Sequence, residues 1–234
     1  MSKKKFKPLE IKKEDEKEMK QVVTMKAMTA TQQKYIDAIK ENDIIFCNGP
    51  SGSGKTFIAV GMALQGLLSS QFSRIIAVRP IIESGPSIGY LPGDIHSKTK
   101  EFMSPIFIDS MEAFISKAQI SNLEKENKVQ TLALGFARGR SLSNAIILCD
   151  EMQNSTCDQC LLLLTRLAIG ENGKGSKMIF SGDLDQSDIK GKNGLQDAFE
   201  RLQNISRIAF VEMTTGDIVR HPLIKEILSR YRQK

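Results

Sequence analysis

Eight consecutive residues have the types and spacing of a phosphate-binding loop. Residues 49–56 match the pattern G-x-x-x-x-G-K-[ST]. Glycines permit a tight turn in which backbone N–H groups converge on phosphate oxygens at the N-terminus of the following helix. In that geometry Lys55 would reach the β- and γ-phosphates of a nucleotide, and the Thr56 hydroxyl would bind Mg²⁺. The alternative is a glycine-rich turn with a solvated lysine. The candidate binding residues are Gly49, Pro50, Ser51, Gly52, Ser53, Gly54, Lys55 and Thr56.

Two adjacent acids, Asp150 and Glu151, stand at the end of an apolar run. An acid that ends a strand can hold Mg²⁺, and the next acid can polarise a water molecule aimed at a γ-phosphate. We therefore expect Thr56 and Asp150 to bind the metal and Glu151 to act as the catalytic base. An acidic helix cap is the alternative, because residues 154–156 read Asn-Ser-Thr and suit the start of a helix.

Two later segments carry further candidates for phosphoryl transfer. Gln186 lies just after Gly182-Asp183, where a polar side chain could sense the γ-phosphate or orient water, although a plain turn is the competing interpretation. An arginine from the same chain or a neighbouring one commonly offsets the charge that develops on the phosphate. Arg220 is the leading candidate for that role. The others are Arg79, Arg138, Arg140 and Arg166.

Strand-like and helix-like segments alternate along the chain after Thr29. Short continuous apolar runs are typical of strands buried on both faces of a parallel sheet. Intervening helices would cover both faces, so the pattern predicts a three-layer α/β domain with a mainly parallel sheet, in which ligands bind beyond the carboxyl ends of the strands. The predicted strands are Asp43–Asn48, Arg74–Val78, Ala145–Asp150, Lys177–Ser181 and Arg207–Glu212. The predicted helices are Thr56–Leu68, Glu101–Lys117, Thr156–Ile169 and Leu195–Leu202.

Composition narrows the class of protein. The 234 residues include 33 Lys+Arg and 27 Asp+Glu, for a net charge of +6, and 41% are hydrophobic, which excludes collagen-like and wholly disordered chains. Residues 1–28 are charged and poor in large apolar side chains, so we expect a flexible arm ahead of one domain at 29–234. No apolar run approaches the roughly 20 residues that cross a bilayer, so no membrane span is predicted. The modest basic excess permits nucleic-acid binding without requiring it.

The four cysteines are Cys47, Cys149, Cys157 and Cys160. The first two lie in apolar runs, where a buried reduced thiol is the usual occupant, so we expect a reducing, cytoplasmic environment. The last two have the spacing of half a zinc site, but a closed site needs four ligands and only His96 and His221 are available to complete it. We therefore do not assign a metal to this pair.

Nine segments of the chain together resemble the PhoH family of P-loop ATPases, over residues 29–231. They are Gln32–Tyr35, Gly49–Thr56, Ala77–Pro80, Ile88–Asp94, Arg138–Arg140, Ile147–Asn154, Leu164–Leu167, Ser181–Asp183 with Gln186, and Asp217–Pro222. Three departures stand out. Ser51 and Ser53 replace the Ala and Thr that are frequent in the family, Met152 replaces a frequent Ala, and residues 171–175 form a longer connection than usual.

This resemblance implies a RecA-like P-loop NTPase core akin to one motor domain of superfamily 1 helicases. It also implies ATP and Mg²⁺ as cofactors, assembly into a homo-oligomeric ring with a hexamer favoured, and a link to RNA. By position, Gln32 matches the glutamine on the adenine side of the nucleotide. The remaining matches are Lys55 and Thr56 for phosphate and metal, Asp150 and Glu151 for the metal and catalytic acids, and Gln186 and Arg220 for later motifs.

The leading hypothesis is an ATPase that couples hydrolysis to remodelling of RNA or single-stranded nucleic acid. A small-molecule kinase shares the phosphate-binding loop, but it must shield the γ-phosphate from water, and adjacent acids poised for hydrolysis count against it. A scaffold whose assembly is set by bound nucleotide is the third hypothesis. A GTPase is disfavoured because the chain contains no Asn-Lys-x-Asp motif.

Overall fold

The centre of the molecule is a six-stranded parallel sheet. The computed structural model describes residues 23–80, 107–170, 173, 175–219 and 230. The strands in chain order are β1 (Ile44–Asn48), β2 (Arg74–Arg79), β3 (Val129–Ala133), β4 (Leu142–Ser143), β5 (Ala145–Cys149), β6 (Leu167–Ala168), β7 (Lys177–Gly182) and β8 (Ile208–Glu212). The order across the main sheet is β3-β2-β5-β7-β1-β8, and β4 pairs with β6 separately. Every neighbouring pair in the main sheet is parallel, which confirms the predicted sheet type.

Helices connect the strands, and four of the five named here begin at a side-chain cap. They are α1 (Ala30–Glu41), α2 (Lys55–Leu68), α3 (Lys117–Lys125), α4 (Cys157–Leu164) and α5 (Gly194–Arg201), and residues 107–112 are also helical. Thr29 caps α1, Asn193 caps α5, and Ser116 and Thr156 form capping boxes at α3 and α4. These side chains satisfy backbone N–H groups that have no partner within the helix, which explains where the helices start.

Two hydrophobic clusters cover the two faces of the sheet. On one face, α1, α2 and α3 pack over strand residues such as Ile45 and Ile75. On the other, α4 and α5 pack over Phe46, Ile147 and Phe180. Successive residues of β1 therefore enter opposite clusters, as expected for a strand buried on both faces. The predicted three-layer α/β fold is confirmed. No helix among the described residues has the length and apolar character needed to cross a membrane.

Several predicted boundaries are wrong. The helix predicted at Glu101–Lys117 does not reach Lys117. Within its described part, only residues 107–112 are α-helical before Lys117, and α3 is a separate helix whose first turn is capped by Ser116. The predicted helix Thr156–Ile169 ends at Leu164, because Leu167–Ala168 pairs with β4 instead. Sequence patterns also missed α1 and the edge strand β3, in which the adjacent polar residues Gln130 and Thr131 interrupt the apolar run.

The predicted arm at 1–28 lies mostly outside the described residues. Of its last six residues, Val23 is buried, and Met25 and Ala27 pack against the core cluster on the α1 and α2 face. A methyl group on Gly61 of α2 would lie 2.5 Å from the sulfur of Met25, so the two segments are in close contact. Contact with the core therefore begins before Thr29.

Phe46 anchors an aromatic row across three strands. Its ring stacks on those of Phe180 and Phe210, with distances between ring centroids of 4.7 Å and 5.2 Å. It meets the ring of Phe199 in α5 edge-on, with the centroids 6.2 Å apart.

We predict that Phe46→Ala lowers the free energy of unfolding by about 3–5 kcal/mol, because it removes a fully buried ring and leaves a cavity. Urea unfolding measures the change. Ile169→Ala, at a side chain that is 74% exposed, is the control, and equal losses for the two variants would contradict the prediction.

Candidate active site

A cavity of about 360 Å³ opens at the carboxyl ends of β1, β5 and β7. Because β7 lies between β1 and β5, the residues that follow all three strands meet at one edge of the sheet. This edge brings together the glycine-rich loop, both adjacent acids and the turn after β7. The cavity is lined by Ser51, Gly52, Gly54, Lys55, Thr56, Phe57, Ser110, Asp150, Glu151, Gly182, Asp183 and Gln186.

The loop at 49–56 turns tightly between β1 and α2. Gly52 and Gly54 have φ angles of 85° and 91°, which side chains disfavour. A methyl group on Gly49 would lie 2.7 Å from the Cβ of Met213, so this glycine permits close approach of the segment after β8. Within the described residues, no side chain caps the N-terminus of α2. Its first N–H groups therefore retain the capacity to bind an anion.

Lys55 is held inside this loop. Its ammonium donates to the carbonyl oxygens of Gly49 at 2.6 Å and Pro50 at 3.0 Å, and the side chain is buried. Burial lowers the pKa of Lys55 below its usual value, while nearby acidic groups oppose that shift. The lysine thus lies at the base of the cavity with acids opposite.

Asp150 lies at the centre of a small oxygen cluster. Its Oδ1 accepts from the Ser181 hydroxyl at 2.8 Å and from the Thr56 hydroxyl at 3.2 Å. Burial raises the pKa of Asp150 above its usual value, with the hydrogen bond from Ser181 opposing the rise. Carboxylate and hydroxyl oxygens are ligands that Mg²⁺ prefers, and this ion usually takes only one or two carboxylates from the protein. The donor set of Thr56 and Asp150 therefore fits Mg²⁺. Ser181 was not among the predicted site residues.

Glu151 has a left-handed backbone, with φ 57° and ψ 35°, and its side chain lines the cavity. Oε1 lies 3.1 Å from Nη2 of Arg79, and Oε2 accepts from Nε2 of Gln153 at 2.6 Å. Glu151 is not the cap of α4, which was the alternative interpretation, because Thr156 caps that helix. A left-handed conformation in a non-glycine residue is uncommon and costs free energy, and such residues cluster at functional sites.

Gln153 connects the acid motif to the turn after β7. Besides its bond to Glu151, its Oε1 accepts from the backbone N–H of Asp183 at 3.1 Å. A methyl group on Gly182 would lie 2.6 Å from that oxygen, so only glycine leaves room for it. Sequence reasoning assigned no role to Gln153, because this contact depends on residues distant along the chain.

Gln186 lines the cavity at its exposed side. Its Nε2 donates to Oδ2 of Asp183 at 2.8 Å, and the N–H of Leu184 donates to Oδ1 of Asn48 at 3.0 Å. The first bond lies within the turn after β7, and the second joins that turn to the end of β1. The turn contains a short 3₁₀ helix, Leu184–Gln186, that is capped by Asp183, and it also lines the cavity.

Gln32 lies behind the loop rather than in the cavity lining. Its Nε2 donates to the carbonyl of Ser53 at 2.9 Å, and its Oε1 accepts from the N–H of Met28 at 2.8 Å. The side chain is buried. In this conformation both ends of the amide bind the protein, and they attach α1 to the loop.

The segment after β8 supports the loop from the same side. Val219 donates its N–H to the carbonyl of Gly52 at 3.1 Å, and the buried Asp217 accepts from the hydroxyl of Thr29 at 2.5 Å and the N–H of Thr214 at 2.8 Å. Burial alone would raise the pKa of Asp217, but these hydrogen bonds outweigh it, and the pKa lies below its usual value.

The arginine candidates separate into three groups. Arg220 lies outside the described residues, and it follows directly after Val219 in the chain. Arg79 is beside the cavity because it contacts Glu151. The remaining three, Arg138, Arg140 and Arg166, are not among the residues that line the cavity. All four cysteines are free thiols, and no cluster of three or more His, Cys, Asp and Glu side chains that could hold a metal occurs in the described residues.

Comparison with known proteins gives the family. A family model described as PhoH-like protein matches residues 24–232. The chain belongs to the PhoH family. It is 40% identical over 211 residues to a PhoH-like protein of Synechocystis, covering 89% of this chain and 62% of the relative, and 38% identical over 210 residues to a PhoH-like protein of Bacillus subtilis, covering 89% and 64%. This PhoH-family chain therefore spans less than two thirds of the length of these curated relatives.

One solved structure supports the RecA-like fold assignment of this PhoH-family chain. The large terminase from a thermophilic bacteriophage aligns with a TM-score of 0.51 at 12% identity, over 89% of this chain and 51% of the terminase. At this level of identity the similarity concerns the fold alone.

Asp217 gives a prediction for the pH dependence of stability. A carboxylate whose pKa is lowered by folding stabilises the native state above its unfolded pKa of about 3.9, and this contribution is lost as the pH falls through the lower native value. We predict that Asp217→Asn costs about 1.5–3 kcal/mol at pH 7. Urea unfolding should show this difference from the unsubstituted protein shrinking below pH ~4. Asp188→Asn, at an exposed acid, is the control, and a difference that does not vary with pH would contradict the prediction.

Proposed function

We propose that this protein binds ATP with Mg²⁺ and hydrolyses it. The observation that carries the proposal is the meeting of three chemical elements in one cavity: the glycine-rich loop at the start of α2, the oxygen pair of Thr56 and Asp150, and the carboxylate of Glu151. Family membership supports the same interpretation. Each element alone has another explanation, but their convergence at one edge of a parallel sheet favours phosphoryl transfer.

The residues take distinct roles in the proposed reaction. Backbone N–H groups of the loop hold the phosphates, and Lys55 exchanges its carbonyl partners for phosphate oxygens. Thr56 and Asp150 would hold Mg²⁺, and a cation held there would offset negative charge on the phosphates. Glu151 accepts a proton from water as the water oxygen bonds to the γ-phosphorus. The bond from that phosphorus to the bridging oxygen then breaks, and its electron pair stays on ADP.

Gln32 and Gln186 complete the proposed site from opposite sides. We assign Gln186 to orient the attacking water, because it lies on the exposed wall of the cavity next to Asp183. Gln32 would contact the adenine only by exchanging at least one of its two present partners, since both ends of its amide are engaged. Its present role is to hold the loop against α1.

We further propose that hydrolysis drives remodelling of RNA or single-stranded nucleic acid in a homo-oligomeric ring in the cytoplasm, with a hexamer favoured by the family resemblance. The described residues contain one six-stranded parallel sheet. The Glu151 side chain lies at the edge of this sheet where the cavity opens, and it is 40% exposed. A neighbouring subunit would therefore provide the opposing wall and Arg220. The net charge of +6 is compatible with a polyanionic partner. The free thiols agree with a reducing cytoplasm.

Glu151→Gln tests the catalytic assignment. We predict that it lowers the rate of phosphate release at least ~100-fold, because an amide cannot accept the proton, and leaves the affinity for an ATP analogue with Mg²⁺ within about threefold. Phosphate release without any acceptor molecule and calorimetric binding measure the two effects. Glu200→Gln, at an exposed acid paired with Lys192, is the matched control.

Three outcomes would reject this assignment or the reaction class. Normal turnover by Glu151→Gln would remove Glu151 from the mechanism. Phosphate transfer that depends on a small-molecule acceptor would favour the kinase alternative, and nucleotide binding that changes molecular mass without any turnover would favour a scaffold.

Arg220 tests the shared-site proposal. We predict that Arg220→Ala and Glu151→Gln proteins are each inactive alone, and that mixing them in equal amounts restores up to about one quarter of the unsubstituted rate, because each active site then draws its glutamate and arginine from different subunits. Sedimentation with ATP and Mg²⁺ establishes that the variants assemble. Assembled mixtures without any recovered activity would place Arg220 within its own subunit's site or outside the site altogether.

A further inference from the structure

The two donors that hold Glu151 differ in how they are themselves supported. Gln153 is almost fully buried, and its amide is attached both to Glu151 and to the backbone of Asp183. Its carbonyl oxygen lies against Gly182 with no space for a methyl group between them. Withdrawal of Gln153 would therefore break the connection between the acid motif and the end of β7.

Arg79 has no comparable support from the residues that the structure describes. It is the last residue of β2, its side chain is 21% exposed, and its ion pair with Glu151 is the one it makes within the described part of the chain. An arginine side chain has several rotatable bonds, so it can leave one partner without moving the strand that carries it. Of the two groups that hold the carboxylate, Arg79 is the one able to move.

A guanidinium at 3.1 Å affects the chemistry expected of Glu151. A carboxylate oxygen held by a guanidinium must give up that contact before it can accept a proton from water. The same contact directs Oε1 towards β2. With Oε2 bound to Gln153, both oxygens already have partners before water arrives.

We propose that Arg79 is a latch that restrains Glu151 at rest and must release it for fast hydrolysis. This inference rests on the proposed function, because it takes Glu151 to be the base. Gln153 keeps the glutamate oriented when Arg79 leaves. The phosphate backbone of single-stranded RNA at this edge of the sheet would compete for the guanidinium, since arginine binds phosphate as well as carboxylate. Binding of RNA would thereby raise the rate of hydrolysis.

Steady-state ATP hydrolysis by the full chain, with and without single-stranded poly(U) RNA, tests the latch. We expect Arg79→Ala to raise kcat without RNA about fivefold and to leave KM for ATP within about twofold, since one partly exposed ion pair is removed. RNA should stimulate this variant less than the unsubstituted protein. Arg79→Lys, which retains charge without the planar fork, should give an intermediate kcat. A rise in kcat is a result that structural damage does not produce.

Two control variants separate the contributions. Arg201→Ala removes an exposed arginine that pairs with Asp197 at 2.7 Å away from the cavity, and it should leave the rate unchanged. The double variant Arg79→Ala/Glu151→Gln should be as inactive as Glu151→Gln. If Arg79→Ala does not fold, as judged by its thermal melt, Arg79→Gln removes the charge while keeping a polar side chain.

Each remaining outcome has one interpretation. A kcat that falls or stays constant in Arg79→Ala overturns the latch, as does a double variant that retains the raised rate. If turnover depends on Glu151 but Arg79→Ala does not change it, the latch is rejected and the proposed function stands. Absence of Glu151-dependent phosphate release from both the unsubstituted protein and Arg79→Ala rejects the proposed function itself.

Discussion

The hydrogen bonds that join Thr56 and Ser181 to Asp150 are the constraint on which the site depends. They link three elements, the first turn of α2 and strands β5 and β7, through one buried oxygen. A buried carboxylate is costly unless its oxygens are satisfied, so the two hydroxyls stabilise Asp150 where the sheet places it. This arrangement requires β7 to lie between β1 and β5. The strand order is therefore part of the chemistry of the site and not only of the fold.

Close backbone approach is the second constraint, and it operates at both sides of the cavity. Gly49 allows the segment after β8 to pack behind the loop, and Gly182 allows Gln153 to reach the turn after β7. A side chain at either position would displace an element that carries a candidate functional residue. The loop is then held from behind by Gln32 and by the N–H of Val219, which leaves its N–H groups at the start of α2 for the cavity.

How much the sequence predicts follows from how local each signal is. Four of the five predicted apolar runs correspond to strands that are largely buried on both faces, which requires apolar residues at successive positions, and the fifth corresponds to the partly buried edge strand β8. The edge strand β3 lacks such a run, and the end of α4 depends on pairing of β6 with β4, which is a contact distant along the chain. Within the site, residue types identified Lys55, Asp150 and Glu151 as candidates. The contacts of Gln153 and Arg79 were not predictable, since they depend on a left-handed backbone at Glu151 and on the space beside Gly182.

The balance of charge in the cavity bears on how a nucleotide could be held there. Among the described residues, three carboxylates line it, at Asp150, Glu151 and Asp183, against one lysine, and Arg79 beside them is already paired with Glu151. A triphosphate adds further negative charge to this surface, and the backbone N–H groups of the loop contribute only partial charges. Under the proposed function, positive charge from outside these residues would accompany the nucleotide. A divalent cation held by Thr56 and Asp150 would supply part of it, and an arginine that reached the open edge would supply more where Glu151 faces solvent. The same imbalance would make the proposed site favour a metal–nucleotide complex over the free nucleotide.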